Sequence, residues 1–151
     1  MEPGPATGNC SVTLNNGDVP VCCEPNESQR ANIDEVFRLL NEYRQQNGRA
    51  PLTYDYELEA AMQGHCQHMA QAGFFSHYSP VAEIQSPWAR AERCGTKANG
   101  ENIASRQKDP AEVMASWKKS SDHNRNMLSP DWKRVGIGEF DLYWGQIFGQ
   151  E

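Results

Sequence analysis

Apolar positions are unevenly spread along this chain, and their spacing divides it into segments of different kinds. Residues 1–30 hold few apolar side chains in no sustained period and are rich in Gly, Pro and Asn, so they read as a loop-rich arm. From Ile33 the pattern changes. Ile33, Val36, Phe37, Leu40 and Tyr43 recur at helical spacing, and Gly48 follows as a stop signal. A second helix is predicted from about Tyr56 to Ala72, with Leu58, Met62, His65 and Met69 on one stripe and Gly73 at its end. The stretch 74–100, carrying Pro80, Pro87, Gly95 and Gly100, reads as loop. Asp109-Pro110-Ala111-Glu112 then marks a helix start: the Asp can cap, the Pro is preset for the first turn, and the Glu can close a capping box. Val113, Met114 and Trp117 give that helix its apolar side. Val135, Ile137 and Glu139 alternate, as do Tyr143, Gly145 and Ile147, with Asp141-Leu142 between them, so residues 134–149 read as an antiparallel hairpin. Helices first and paired strands last indicate an α+β domain.

The length of 151 residues fits one domain, with the arm at 1–30 and the body at 31–151. No apolar run approaches the ~20 residues of a transmembrane helix. The net charge of -6, with acidic and basic residues interspersed, argues against a nucleic-acid partner. Cysteine usage says more. Cys10, Cys22 and Cys23 lie in the arm, Cys66 and Cys94 in the body, and no CxxC pair occurs, so the pattern reads as a disulfide framework made in an oxidising compartment. Adjacent Cys22 and Cys23 are poor partners for each other, which leaves Cys10 to pair with one of them and one cysteine of the five over. Residues 1–9 lack the basic and apolar regions of an export signal, as expected of a mature secreted sequence bearing an added start Met.

The histidines divide two and two. His65 falls on the apolar stripe of the second helix and His68 at its edge, which reads as a core histidine bonded to backbone and a boundary one. His77 follows that helix in Phe74-Phe75-Ser76-His77, and His123 follows the Trp117 helix in Ser120-Ser121-Asp122-His123. Glu101 stands in Gly100-Glu101-Asn102-Ile103-Ala104. Two imidazoles and a carboxylate on loops can form an open zinc site completed by water, or an acid/base set. Trp117 reads as core and Trp88, after Pro87, as an exposed contact, whereas Arg44, Arg90 and Arg93 read as solvated or salt-bridged.

An ordered series of motifs resembles a known family. Leu39-Leu40-Asn41-Glu42-Tyr43-Arg44, Gly48, Pro51-Leu52, Ala60-Ala61 with His65 and Met69-Ala70, and Phe75-Ser76-His77 come first. Gly100-Glu101-Asn102-Ile103-Ala104, Trp117, Ser120, His123, Asn126-Met127-Leu128, Val135-Gly136-Ile137-Gly138 and Tyr143 through Gly149 follow. Across about 31–149 they resemble the bacterial members of the CAP superfamily of cysteine-rich secretory proteins, antigen 5 and pathogenesis-related-1. The resemblance implies a three-layer α-β-α sandwich with a central antiparallel sheet and an open cleft carrying two histidines and two glutamates. His77, His123 and Glu101 match the two histidines and the glutamate of the GEN motif. Ser120 stands where the second glutamate would be, and Asp122, two residues on, faces elsewhere on a regular helix. The resemblance also places Cys66 and Cys94 beside the cleft and implies a bond between them.

Family members are linked to sterol and lipid binding, channel blockade, antimicrobial defence, metal binding and disputed proteolysis, so fold does not settle function. The leading reading is a secreted, extracellular or periplasmic binding protein whose cleft takes a divalent metal such as zinc and a small-molecule, lipid or protein ligand, with no organic cofactor. One alternative is a hydrolase in which His77, Glu101 and His123 activate water, although HExxH and GxSxG are absent. The other is a structural domain whose cleft residues form only a hydrogen-bonded cluster.

Overall fold

The computed structural model describes residues 10–14 and 17–151, so the export-signal reading of residues 1–9 lies outside the described residues. Ser11–Leu14 (β1) and Gly17–Pro20 (β2) pair antiparallel in the arm. Helix α1 runs from Glu27 to Gln46, six residues ahead of the first apolar position in its stripe. Its opening turns are polar and carry no hydrophobic signal. Their start is set instead by a capping box, in which Asn26 accepts from Gln29 N and Gln29 returns the bond to Asn26 N. After the short β3 (Thr53–Tyr54), α2 spans Tyr56–Ala72, capped by Asp55 and ended by Gly73 at φ 75°, as its pattern predicts.

The stretch read as loop contains a 3-10 turn at Ala82–Ile84 and a seven-residue helix, α3, at Pro87–Arg93. Ser86 caps α3 and Pro87 occupies its first turn, the same cap-then-proline signal that announces Asp109-Pro110, on a helix too short to show a period. Strand β4 (Gly100–Ser105), α4 (Pro110–Lys119), α5 (Ser121–Met127), β5 (Arg134–Phe140) and β6 (Tyr143–Gly149) complete the chain. Asp109 caps α4 through Glu112 N, but the Glu112 carboxylate closes on Lys108 N, one residue before the cap.

The main sheet has the order β3-β5-β6-β4. β5–β6 and β4–β6 are antiparallel, and two-residue β3 joins β5 in parallel. Alternation along the strands separates two cores. Val135, Ile137, Trp144 and Phe148 pack with Ile33, Val36, Leu40 and Trp117 from α1 and α4. Ile103 and Ile147 pack on the other side with Leu58, Met62, Cys66 and Met69 of α2 and Ala91 of α3. Helices thus cover both faces, the layered arrangement the motifs imply. α2 lies directly on β5 because Gly136 and Gly138 have no side chain: a Cβ at Gly136 would sit 2.2 Å from Glu59 N.

One of the two disulfides differs from the expected pairing. Cys10 bonds Cys23, one of its two expected partners, but Cys94 bonds Cys22 rather than Cys66, and Cys66 is free and fully buried. Cys66 points from α2 into the core under the sheet. The arm instead crosses α2 at Gly64, where a Cβ would lie 3.1 Å from Cys22 N, and this close crossing delivers Cys22 to the end of α3.

Candidate functional site

β4 is an edge strand, and its alternation aims adjacent residues at opposite layers. Glu101 pairs across to Ile147 and faces the α2–α3 layer; Asn102 pairs across to Gln146 and faces the other. Glu101 Oε1 accepts a hydrogen bond from His77 Nδ1, 2.7 Å away, on the segment after α2. Asn102 Nδ2 donates to the backbone carbonyl of His123 at 3.1 Å and to Gln146 Oε1. Two successive residues of one strand therefore hold the two histidine segments from opposite faces. His123 sits within α5 rather than beyond a helix, with Ser120 serving both as the C-cap of α4 and as the N-cap of α5. Asn126 of α5 donates to Glu101 O, and Trp117 Nε1 donates to Ile103 O, so the outward carbonyls of the edge strand are occupied.

Glu101 is held from behind by Arg90, one of the arginines expected to be solvated or salt-bridged, and the structure makes it salt-bridged. Arg90 is 3 % exposed. Its Nη2 donates to His77 O at 2.8 Å and to Glu101 Oε2 at 3.3 Å, while Nη1 donates to Ile84 O and Gln85 O. One guanidinium thus fixes the carboxylate, the histidine backbone and the 3-10 turn.

Both Glu101 oxygens are thus engaged, one by His77 and the other by Arg90. A carboxylate accepting at Nδ1 selects the imidazole tautomer whose bare nitrogen is Nε2. His77 itself is half exposed. Burial, and then the neighbouring His77, hold the His123 pKa below the ordinary histidine value. Asp122 does not replace the missing glutamate: it is largely exposed and paired with Arg125 at 3.0 Å.

The remaining titratable groups nearby are enclosed. His65 Nε2–H donates to Ser76 O at 2.7 Å, as expected of a core histidine, and burial followed by the Arg90 charge lowers its pKa to about 4. His68 is buried at 4 % exposure against Phe74 rather than lying at a boundary. Burial pushes the Cys66 thiol well above its usual pKa, so it stays protonated. Among the described residues His65 Nδ1 and Arg90 Nε have no hydrogen-bond partner, and both residues line a cavity of about 10 Å³ beneath the Cys22–Cys94 bridge. That volume matches a single water. No helix among the described residues is long and apolar enough to cross a membrane.

Comparisons place this geometry among known proteins. YkwD of Bacillus subtilis, an uncharacterized protein, is 34 % identical over 116 residues, covering 76 % of this chain and 45 % of its own length. YlbC, an uncharacterized membrane protein of the same organism, is 26 % identical over 80 % of this chain and 35 % of its own. The chain thus spans less than half the length of these curated relatives. An extracellular SCP-domain protein from Bacillus anthracis superposes with a TM-score of 0.78 at 26 % identity, over 82 % of this chain and 41 % of that one. A cysteine-rich secretory protein from Staphylococcus aureus shares the fold at TM-score 0.71 and 16 % identity, over 90 % of this chain and 42 % of that one. The sequence pattern of the CAP, or cysteine-rich secretory protein, family matches residues 37–139, which include His77, Glu101, His123 and Arg90. The chain belongs to the CAP family of cysteine-rich secretory proteins.

Proposed function

We propose that this CAP domain is a secreted binding protein whose cleft holds a divalent transition metal, zinc or a similar ion, on His77 and His123 beside a small or lipid-like ligand. The observation that carries this reading is the 2.7 Å bond from His77 Nδ1 to Glu101, which presents Nε2 as a bare donor atom. His123, kept neutral by burial and by the adjacent imidazole, suits the same role. Among the described residues no group of three or more His, Cys, Asp or Glu converges as a ligand set. The donors therefore fit an open, water-completed site of modest affinity and not a closed structural one. Exposed Phe75 and Tyr78 flank His77 and supply apolar surface for a ligand. Secretion, to an extracellular or periplasmic space, is supported by two disulfides and by the extracellular character of the Bacillus anthracis relative.

Calorimetric titration of zinc tests the proposal. Wild type should bind at neutral pH and lose affinity as pH falls through ~6.5, where free imidazole protonates. His77→Ala and His123→Ala should each abolish the heat, and Glu101→Gln should weaken it. The protein should stay folded under chelation, because its core and disulfides do not depend on an ion. One observation favours a second reading: the buried Arg90–Glu101 pair ties together three segments and has the form of a structural cluster. On that reading the same substitutions lower stability, and wild type gives no heat of zinc binding. Ser76 Oγ and Ser120 Oγ accept from the backbone amides of Tyr78 and His123 and do not pair with an imidazole, which argues against a serine nucleophile.

A further inference from the structure

We propose that the chain has a second ligand site, for an acidic saccharide, in the groove between the loop after α1 and the segment after α5. It begins with a buried cation that lacks a counter-ion. Arg44 is 1 % exposed, and its guanidinium donates to Ala50 O at 2.9 Å, Met127 O at 2.8 Å and Ser129 O at 2.9 Å, all neutral carbonyls. Among the described residues no carboxylate pairs with it. Buried charges are ordinarily paired, because desolvation without a counter-charge is costly. Burial and the nearby Arg49 charge both work against the Arg44 charge.

The space beside Arg44 is a groove of about 360 Å³ that is also lined by Arg49, Thr53, Trp132 and Lys133. An adjoining groove of about 440 Å³ shares Arg49 and Pro130 and adds Arg125, which is itself paired with Asp122. Among the described residues no Asp or Glu lines either groove, although the chain carries a net charge of -6. Arg49 is pinned through Nε to Leu128 O at 2.6 Å, which leaves its terminal nitrogens to form a fork. Neither Arg49 nor Lys133 is ion-paired among the described residues.

These cations suit a carboxylate or phosphate. The rest of the lining points to what carries it. A bare anion needs only charge, whereas this groove is also lined by Trp132 and Thr53 beside the cations. Aromatic faces and neutral hydrogen-bonding groups match the C–H face and hydroxyls of a sugar ring. A nucleic acid would need a longer array of phosphate contacts than this acidic chain offers.

The test uses the full chain, isotope-labelled and in EDTA so that the histidine pair plays no part. It is titrated with trigalacturonic acid, glucose 1-phosphate, inorganic phosphate and maltotriose, and followed by amide and indole NMR. At least one acidic sugar should shift the Trp132 indole and residues 48–53 and 129–133 saturably, at least tenfold tighter than inorganic phosphate or maltotriose. Which of the two does so identifies the anion. Arg49→Gln with Lys133→Gln should weaken that binding at least tenfold while the variant keeps the amide spectrum of a folded protein, since both side chains are exposed. The proposal is overturned by no saturable shift with either acidic sugar, by equal affinity for inorganic phosphate or maltotriose, or by unchanged binding in the double variant.

Discussion

Arg90 Nη2 lies 3.3 Å from Glu101 Oε2, and the two side chains are 4 % and 2 % exposed. Neither charge reaches solvent, so each depends on the other. The remaining bonds of Arg90, to the carbonyls of His77, Ile84 and Gln85, make it the part that sets where the His77 segment lies.

Removing the guanidinium should therefore be severe. Arg90→Met preserves bulk but leaves the Glu101 carboxylate buried beside His77 alone, and should cost about 3–5 kcal/mol in urea denaturation. Glu101→Gln retains an acceptor for His77 and should cost less. Equal and small losses in the two variants would show that solvent reaches this pair.

Stability should fall in mild acid because of His65. Its folded pKa, about 4, lies below the unfolded value near ~6.5, so the unfolded chain binds the proton first. The stabilising contribution is complete above pH ~6.5 and is lost progressively as pH falls towards 4, by roughly 3 kcal/mol in all. His65→Gln keeps a donor for Ser76 O and should flatten this part of the pH–stability curve, measured by urea midpoints from pH 7 to 4.

The two disulfides should contribute unequally. Cys22–Cys94 closes a separation of 72 residues and Cys10–Cys23 one of 13. Loop-closure entropy then predicts about 4 kcal/mol for the first and about 3 kcal/mol for the second. Paired Cys→Ser variants compared by thermal melting test the order. Cys66 should resist alkylation in the native oxidised protein and react on unfolding; rapid native labelling would contradict its burial.

The β5–β6 turn holds a stabilisation still to be made. Asp141 and Leu142 have φ of 50° and 65°, the left-handed pair of a type I′ hairpin. Leu142 is poorly suited to that region and is kept there while its amide donates to buried Glu139 at 3.0 Å. Asp141→Asn with Leu142→Gly should raise stability by roughly 0.5–1 kcal/mol, read as a higher Tm.

What the sequence by itself determined is whatever rests on neighbours a few residues apart. The α2 stripe and its Gly73 stop, the Asp109-Pro110 cap and the 134–149 hairpin all form through local bonds or a repeating face, so their residues announce them. Seven-residue α3 and the polar opening of α1 escaped that reading because too few of their turns touch the core. The motifs singled out His77, Glu101 and His123, but not how they relate. That relation follows from β4 lying at the sheet edge, where period-two alternation sends Glu101 and Asn102 to opposite layers. Only tertiary structure decided the partner of Cys94, the burial of Arg44 and Arg90, and the isolation of Cys66. Each depends on which distant segment crosses nearby: the arm over Gly64, the loop after α5 beside Arg44, the His77 segment against Arg90. A charged side chain carries no local mark of burial, because carbonyls far along the chain satisfy its donors and appear beside it only once the layers have packed.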